Sequence, residues 1–273
     1  MRNIEQLEQD GGSFSIETAL SQGWKLVSNQ LLYYILGGIL MIIISFGAGI
    51  IPIAGSIANG LIISPCLGAG AVYVTWQIAQ GKRWDDFGDM FKGFQFLTPL
   101  MVSSLIKGII MISVVVVFLF SYIPDFIELY KISTTIRGRH RQDEMLEILT
   151  GLINAKSILF FMLAILLICF LGLIWSFTTH FIVIYRMTGW KAMELSRKIV
   201  MRNFISLLGL YIILGISLMI SAVPCGLGLL FTLPWMIGTI YSAFAQITGS
   251  NDMDDLSKEG FDFMASEKPE DAL

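Results

Sequence analysis

The sequence predicts an all-α polytopic membrane protein with about six transmembrane helices. Three observations predict it. The 273 residues are 55% hydrophobic and only 14% charged, with mean hydropathy +0.73, whereas soluble domains carry roughly 25% charged residues. Asp and Glu are missing from residues 30–75, 95–122, 157–191 and 195–250, as expected where a charge at the bilayer centre costs about 2.5–3.5 kcal/mol. Six apolar stretches, 31–52, 58–78, 100–123, 158–185, 204–223 and 227–247, reach the roughly 20 residues that a spanning helix needs.

The chain opens on a polar, acidic stretch without the basic-then-apolar pattern of a cleaved signal, so the first apolar helix is expected to stay as an anchor. Before it, Ile16, Leu20, Trp24 and Val27 recur at helical spacing behind Ser15, a suitable N-cap. They predict a cytoplasmic helix with its apolar face on the membrane interface. Spans 1 and 2 follow as a tight hairpin across the uncharged residues 53–57, with Pro and Gly supplying the turn. A second surface helix is predicted from Trp84, Phe87, Phe91 and Phe94, an aromatic face opposite Asp85, Asp86 and Asp89.

Spans 3 and 4 enclose the loop 124–156, where Glu144, Met145, Ile148, Leu149 and Leu152 predict a short amphipathic helix. A third surface helix carries Lys191, Glu194, Lys198 and Arg202 on one stripe and Ala192, Met193, Ile199 and Val200 behind it. Glu194 and Lys198 are spaced for an i,i+4 ion pair. Spans 5 and 6 form a second uncharged hairpin across 224–226. Residues 1–247 thus read as one transmembrane domain. The tail, 248–273, holds eight of the 21 acids and too few apolar residues for a core, and is expected to be disordered.

Twelve of the 18 Lys and Arg fall on the side of the N-terminus, five in the loop 124–156, and Lys107 within span 3. Positive residues stay inside, so both termini are expected in the cytoplasm. Nothing basic enough for nucleic acid is present. Cys66, Cys169 and Cys225 all sit in apolar runs without a C-x-x-C, which indicates neither a disulfide framework nor a zinc site.

The two hairpins share a pattern over about 15–78 and 190–247. Asn29 and Asn203 are 174 residues apart, Gly60 and Gly228 168, Pro65 and Pro234 169, and Tyr73 and Tyr241 168. The offsets agree if the second hairpin is five or six residues shorter. Both hairpins start inside, so they would form a parallel repeat about an axis along the membrane normal. Pro65 and Pro234 each remove an i→i−4 hydrogen bond, freeing the carbonyls of Leu61 and Leu230 where no water can replace it. Ser64 and Thr232 are close enough to help. Two readings stand: kinked helices beside a substrate site, or kinks that fit two hairpins together.

Part of this pattern also carries a resemblance. Trp190-Lys191-Ala192-Met193-Glu194-Leu195-Ser196, Asn203-Phe204, the turn Cys225-Gly226-Leu227-Gly228, and then Thr232, Pro234 and Tyr241 resemble a broad bacterial family of largely uncharacterised multi-span membrane proteins. Its relatives include the membrane domain found with some glycerophosphodiester phosphodiesterases. Gly23-Trp24, Asn29, Pro65 and Tyr73 match more loosely. The resemblance implies six helices and a bacterial inner membrane. It implies no activity, because no phosphodiesterase domain is present.

Few residues offer chemistry within the membrane. Lys107 reads either as a snorkelling side chain or as a charge lining a cavity. His180 reads as a structural hydrogen-bonding group or, with an acidic partner, as a proton-linked one. Alone it is a poor metal site, and His140 sits on the external loop. Trp175 and Trp235 lie deep in their spans, as core fillers or as surfaces for stacking a ligand. Gly47, Gly49, Gly68 and Gly70 suit close helix packing better than phosphate binding. No catalytic or P-loop motif occurs, and no cofactor is expected.

Three functions are therefore weighed. The first is non-enzymatic handling of a small or lipid-like molecule, tested by a cavity between spans 2 and 6. The second is a scaffold acting on lipid or protein through its surface helices. The third and weakest is an enzyme using Asp85, Asp86 and Asp89.

Overall fold

The computed structural model describes residues 12–120, 155–223 and 226–249, together with Leu7 and scattered positions from 122 to 134. The loop helix expected near Glu144, His140, the turn residues Pro224 and Cys225, and the acidic tail lie outside the described residues. Among the described residues there is no strand. Six helices are long and apolar enough to cross a membrane: Leu31–Gly49, Ala54–Ala79, Gly88–Phe120, Ile158–Ile184, Phe204–Ala222 and Leu229–Thr248. Their large side chains stand open, with Phe46 76%, Phe120 71% and Met219 75% exposed. Apolar surface on this scale requires lipid rather than water around it. The chain is an integral, multi-pass membrane protein.

It divides into two compact units, 105–172 on one hand and 1–104 with 173–273 on the other. The smaller unit contains the facing parts of α6 (Leu97–Phe120) and α7 (Ala155–Ile174). Phe118 stacks on Phe160 at 6.1 Å and tilts against Phe161 at 5.7 Å. Lys107 belongs to this unit. It is half-buried and forms no hydrogen bond or ion pair among the described residues.

In the larger unit, α1 (Ile16–Ser28) is capped by Ser15, whose Oγ accepts from the Thr18 N–H. It runs through Asn29 and Gln30 into α2 (Leu31–Gly49). The turn back is tight. Ile53 takes φ +62° and ψ −66°, and Ala54 N–H donates to the Pro52 carbonyl at 2.6 Å. This is the γ-turn of the strained hand, rare for a β-branched residue.

The second span is not one α-helix kinked two turns in. A short α3 (Ala54–Ala58) passes into a π-helical turn, Asn59–Ile63, and only then into α4 (Ser64–Ala79). Ser64 N–H reaches back five residues to the Asn59 carbonyl, and Pro65 follows at the second position of α4. The π-turn widens the helix just where the proline ring would meet the carbonyl behind it. Ser64 itself is exposed.

The second surface helix begins later than its aromatic spacing predicts. Residues 82–86 are irregular, a short α5 (Gly88–Phe91) follows, and Lys92–Phe96 is a 3-10 turn leading into α6. Trp84 is drawn inward instead. It is 3% exposed, packs edge-on to Tyr34 at 5.4 Å, and donates Nε1–H to the Asp86 carbonyl at 2.8 Å. Glycines permit this. A Cβ at Gly70 would overlap the Met90 carbonyl, one at Gly93 the Cys66 carbonyl, and one at Gly37 the Trp84 ring. Gly47, Gly49 and Gly68 face open space, so of the four glycines expected to mediate close packing only Gly70 does so.

The fourth span is interrupted. α7 ends at Ile174 and α8 (Thr178–Ile184) restarts after Trp175, Ser176 and Phe177. α9 (Gly189–Arg202) packs its buried face, Ala192, Met193, Leu195, Ser196, Ile199 and Val200, against α8. Its polar stripe stays outside. Glu194 pairs with Arg197, whose Nε–H donates at 3.0 Å, and the Lys198 charge also acts on the same carboxylate. One turn of three residues brings the planar guanidinium fork onto the carboxylate. Asn203 then joins α9 to α10 (Phe204–Ala222), and α11 (Leu229–Thr248) ends at Gly249 in the left-handed conformation.

Candidate functional site

The most extensive helix packing in the larger unit is between α1 and α11, far apart in the sequence. Spacing alone gives α1 an apolar face of Ile16, Leu20, Trp24 and Val27. The buried positions are instead Ala19, Gly23 and Val27, while Trp24 is 44% exposed. Small residues decide the rotation. A Cβ at Gly23 would strike the Thr239 backbone, and one at Gly238 the Gly23 carbonyl. The backbones therefore approach closely there. Trp235 Nε1–H donates to the Leu20 carbonyl at 3.1 Å, so its polar edge ties α1 to α11 while its ring fills space.

Where α1 lies across α11 beside the end of α4, a cleft of about 340 Å³ remains. Gln22, Lys25 and Asn29 of the first segment form its polar wall, with Ser242 of α11. Leu26, Ile78, Ala79, Tyr241 and Ala245 make the apolar wall. The cleft is therefore formed by the second span, the sixth span and the first surface helix. Ser242 Oγ–H donates to Gln22 Oε1 at 2.9 Å. Among the described residues no Asp or Glu lines it.

His180 lies behind this wall. It is 6% exposed, and its ring centroid is 5.1 Å from Phe244 and 6.5 Å from Tyr241. Its Nδ1 makes no well-formed hydrogen bond among the described residues, although the Ser176 backbone acts on it. No carboxylate touches it among those residues. The ring is held by aromatic contact.

The break in the fourth span is closed by a residue from another helix. Ser196 Oγ–H donates to the Ile174 carbonyl at 2.8 Å and accepts the Phe177 N–H at 3.2 Å. Both orphaned backbone groups are thereby paired in a buried place. Trp175 stands half-buried at this break, and its carbonyl accepts from Thr178 N–H. In the sequence Ser196 stands out only as the last residue of the stretch that begins at Trp190. Its task requires knowing where span 4 breaks.

Thr232 serves the proline in the sixth span differently from expectation. Its hydroxyl bonds the Gly228 carbonyl at 3.1 Å and Ser221 of α10, not the carbonyl of Leu230. The contact locks the second hairpin rather than repairing the gap at Pro234. Each aspartate of the 82–96 segment also has a local partner: Asp85 faces Arg83, Asp86 accepts the Gly88 N–H, and Asp89 pairs with Lys92 at 2.6 Å. A separate, apolar groove is lined by Met41, Ile42, Ser45, Phe46 and Leu67 together with Ser64, one of the predicted site residues.

Sequence reasoning singled out Trp235 and His180, which support the cleft. It did not single out Gln22, Lys25 or Ser242, which line it. Comparison with protein-family models, curated proteins and solved structures returned no match for this chain.

Proposed function

We propose that the protein binds a small or amphipathic molecule at the membrane, without catalysing a reaction, in the cleft between α1, α4 and α11. The observation that carries this reading is the composition of that cleft: α1 and its cap supply Gln22, Lys25 and Asn29 beside Leu26, while the ends of α4 and α11 supply Ile78, Ala79, Tyr241 and Ala245 beside Ser242. Such mixed lining suits a ligand with a polar head and an apolar body. The excess of Lys and Arg on the N-terminal side supports a cytoplasmic opening. The resemblance of the C-terminal stretch supports a bacterial cytoplasmic membrane.

The scaffold alternative has one observation in its favour: Trp24 and Trp190 are 44% and 62% exposed on the two surface helices, as interfacial anchors would be. Yet the buried faces of those helices are already occupied by α11 and α8, leaving little apolar face for the bilayer. The test is a density map of the protein in lipid nanodiscs, alone and as Ala79→Trp, which fills the rim of the cleft. An elongated feature in the cleft, lost in the variant, is the expected result. A cleft that holds only disordered solvent in both proteins overturns the reading.

A further inference from the structure

The hydrogen bonds around the cleft run in one direction, and that direction says what the ligand presents. This inference rests on the binding reading above and names its chemistry. The starting donor is fixed: the backbone N–H of Ser15 gives its proton to Gln246 Oε1 at 3.0 Å. A backbone N–H only donates, so the Gln246 amide cannot be turned around. Its Nε2 therefore faces Ser242 Oγ, at 3.5 Å. Ser242 receives a proton there and sends its own to Gln22 Oε1 at 2.9 Å. Gln22 then accepts, and among the described residues its Nε2–H₂ group is the open end of the relay on the cleft wall. Bonds aligned head to tail polarise one another, which makes that terminal N–H₂ a stronger donor.

Two further groups share this face of the chain. Lys25 is three residues on, and Asn29 four more, the spacing that puts side chains in one row. The Lys25 ammonium only donates, is exposed, and has no acid among the cleft residues. The row offers donors from three side chains in succession, more than the two oxygens of one carboxylate provide for. Such a row suits an oxyanion with several acceptor oxygens. Its level agrees: Ile78 and Ala79 are the last residues of α4, where the apolar span gives way to the polar edge of the bilayer. We propose that the cleft takes an anionic phosphate group, with Lys25 and Gln22 Nε2 on its oxygens and Asn29 beside them, and the attached apolar portion against Ile78, Ala79 and Tyr241. A lipid headgroup and a soluble phosphate ester share this chemistry.

The test measures binding to the full-length protein in neutral detergent. The probes are dihexanoyl phosphatidylglycerol, dihexanoyl glycerol without a phosphate, and glycerol 3-phosphate. The variants are Lys25→Gln, Gln22→Leu and Ala79→Trp, with Lys191→Gln as a remote control. A charge-assisted hydrogen bond removed from a ligand costs roughly tenfold or more in affinity. The expected result is that phosphatidylglycerol binds and weakens at least tenfold in Lys25→Gln, and less in Gln22→Leu, with no change in Lys191→Gln. Dihexanoyl glycerol then binds far more weakly. Glycerol 3-phosphate binding as tightly as the lipid assigns the site to soluble esters, and its failure assigns it to lipid. Equal binding of the phosphate-free lipid, unaffected by Lys25→Gln but lost in Ala79→Trp, overturns the phosphate inference and leaves the cleft reading standing. Binding that Ala79→Trp does not alter, or no binding of any probe, overturns both.

Discussion

The first and second hairpins carry the same signposts and use them differently. In each, a glycine closes the turn against the backbone seven residues earlier. A Cβ at Gly55 would strike the Ala48 carbonyl, and one at Gly228 the Ser221 carbonyl. From that wedge to the proline, however, the first hairpin takes ten residues, to Pro65, and the second six, to Pro234. The four extra residues lie in α3 and the π-turn, so most of the difference in hairpin length falls after the turn. The π-turn accommodates Pro65. Pro234 instead sits inside an α-helix whose entry is pinned by Thr232 and Ser221.

The surface helices differ more. α9 packs on α8, its neighbour in sequence, whereas α1 crosses to α11 of the other hairpin. The sixth span, on which α1 lies, is 56% buried against 11% of the first, and the crossing leaves the cleft. Two regions with one pattern can thus differ in the feature that matters, because packing partners are chosen by small residues and not by apolar spacing.

The largest expected effect breaks the crossing itself. Gly23→Val drives a branched side chain into the Thr239 backbone and should cost about 1–3 kcal/mol or more, seen as a lowered unfolding temperature in detergent. Gly215→Val, which meets open space, should change little. Comparable loss in both would mean that α1 does not rest on α11. Next, Ser196→Ala leaves the Ile174 carbonyl and the Phe177 N–H unpaired at a buried break. A cost of about 1–3 kcal/mol is expected, and normal stability would show that the break is closed by something else.

The turns offer a smaller and opposite test. Ile53→Gly relieves a positive φ and should stabilise by about 1 kcal/mol. Gly226→Ile imposes φ +78° on a branched residue and should destabilise. If Ile53→Gly is neutral or harmful, the turn is not strained. The smallest effect concerns Glu194, whose carboxyl is held below its usual range chiefly by the hydrogen bond from Arg197. A depressed folded pKa stabilises above the unfolded value and loses that contribution as pH falls through the folded one. The difference between wild type and Glu194→Gln should therefore be present at neutral pH and vanish in acid. At an exposed pair it will be slight.

Much of this was legible in sequence. Six spans follow from length and acid-free runs, because the bilayer imposes both. The partners of Gly23, Gly238 and Gly70 were not legible, since a glycine in an apolar run reads the same whether it meets a helix or lipid. Gly68, two residues from Gly70, meets nothing. The break at Trp175–Phe177 left no proline or glycine to mark it, and its stabiliser, Ser196, is 22 residues from Ile174. Lys25 and Gln22 lie off the apolar face that spacing gives α1, and only α11 beside them makes them part of a cleft.

The crossing of α1 onto α11 is the central claim, and disulfide formation tests it most directly. In protein with Cys66, Cys169 and Cys225 replaced by Ala, the pair Gln22→Cys and Ser242→Cys replaces side chains in direct contact. Mild oxidation in native membranes should remove both reactive thiols, while Trp24→Cys with Ser242→Cys, from the exposed face, should keep them. Two thiols that stay reactive in the first pair, or equal cross-linking in both, would contradict the crossing and the cleft it forms.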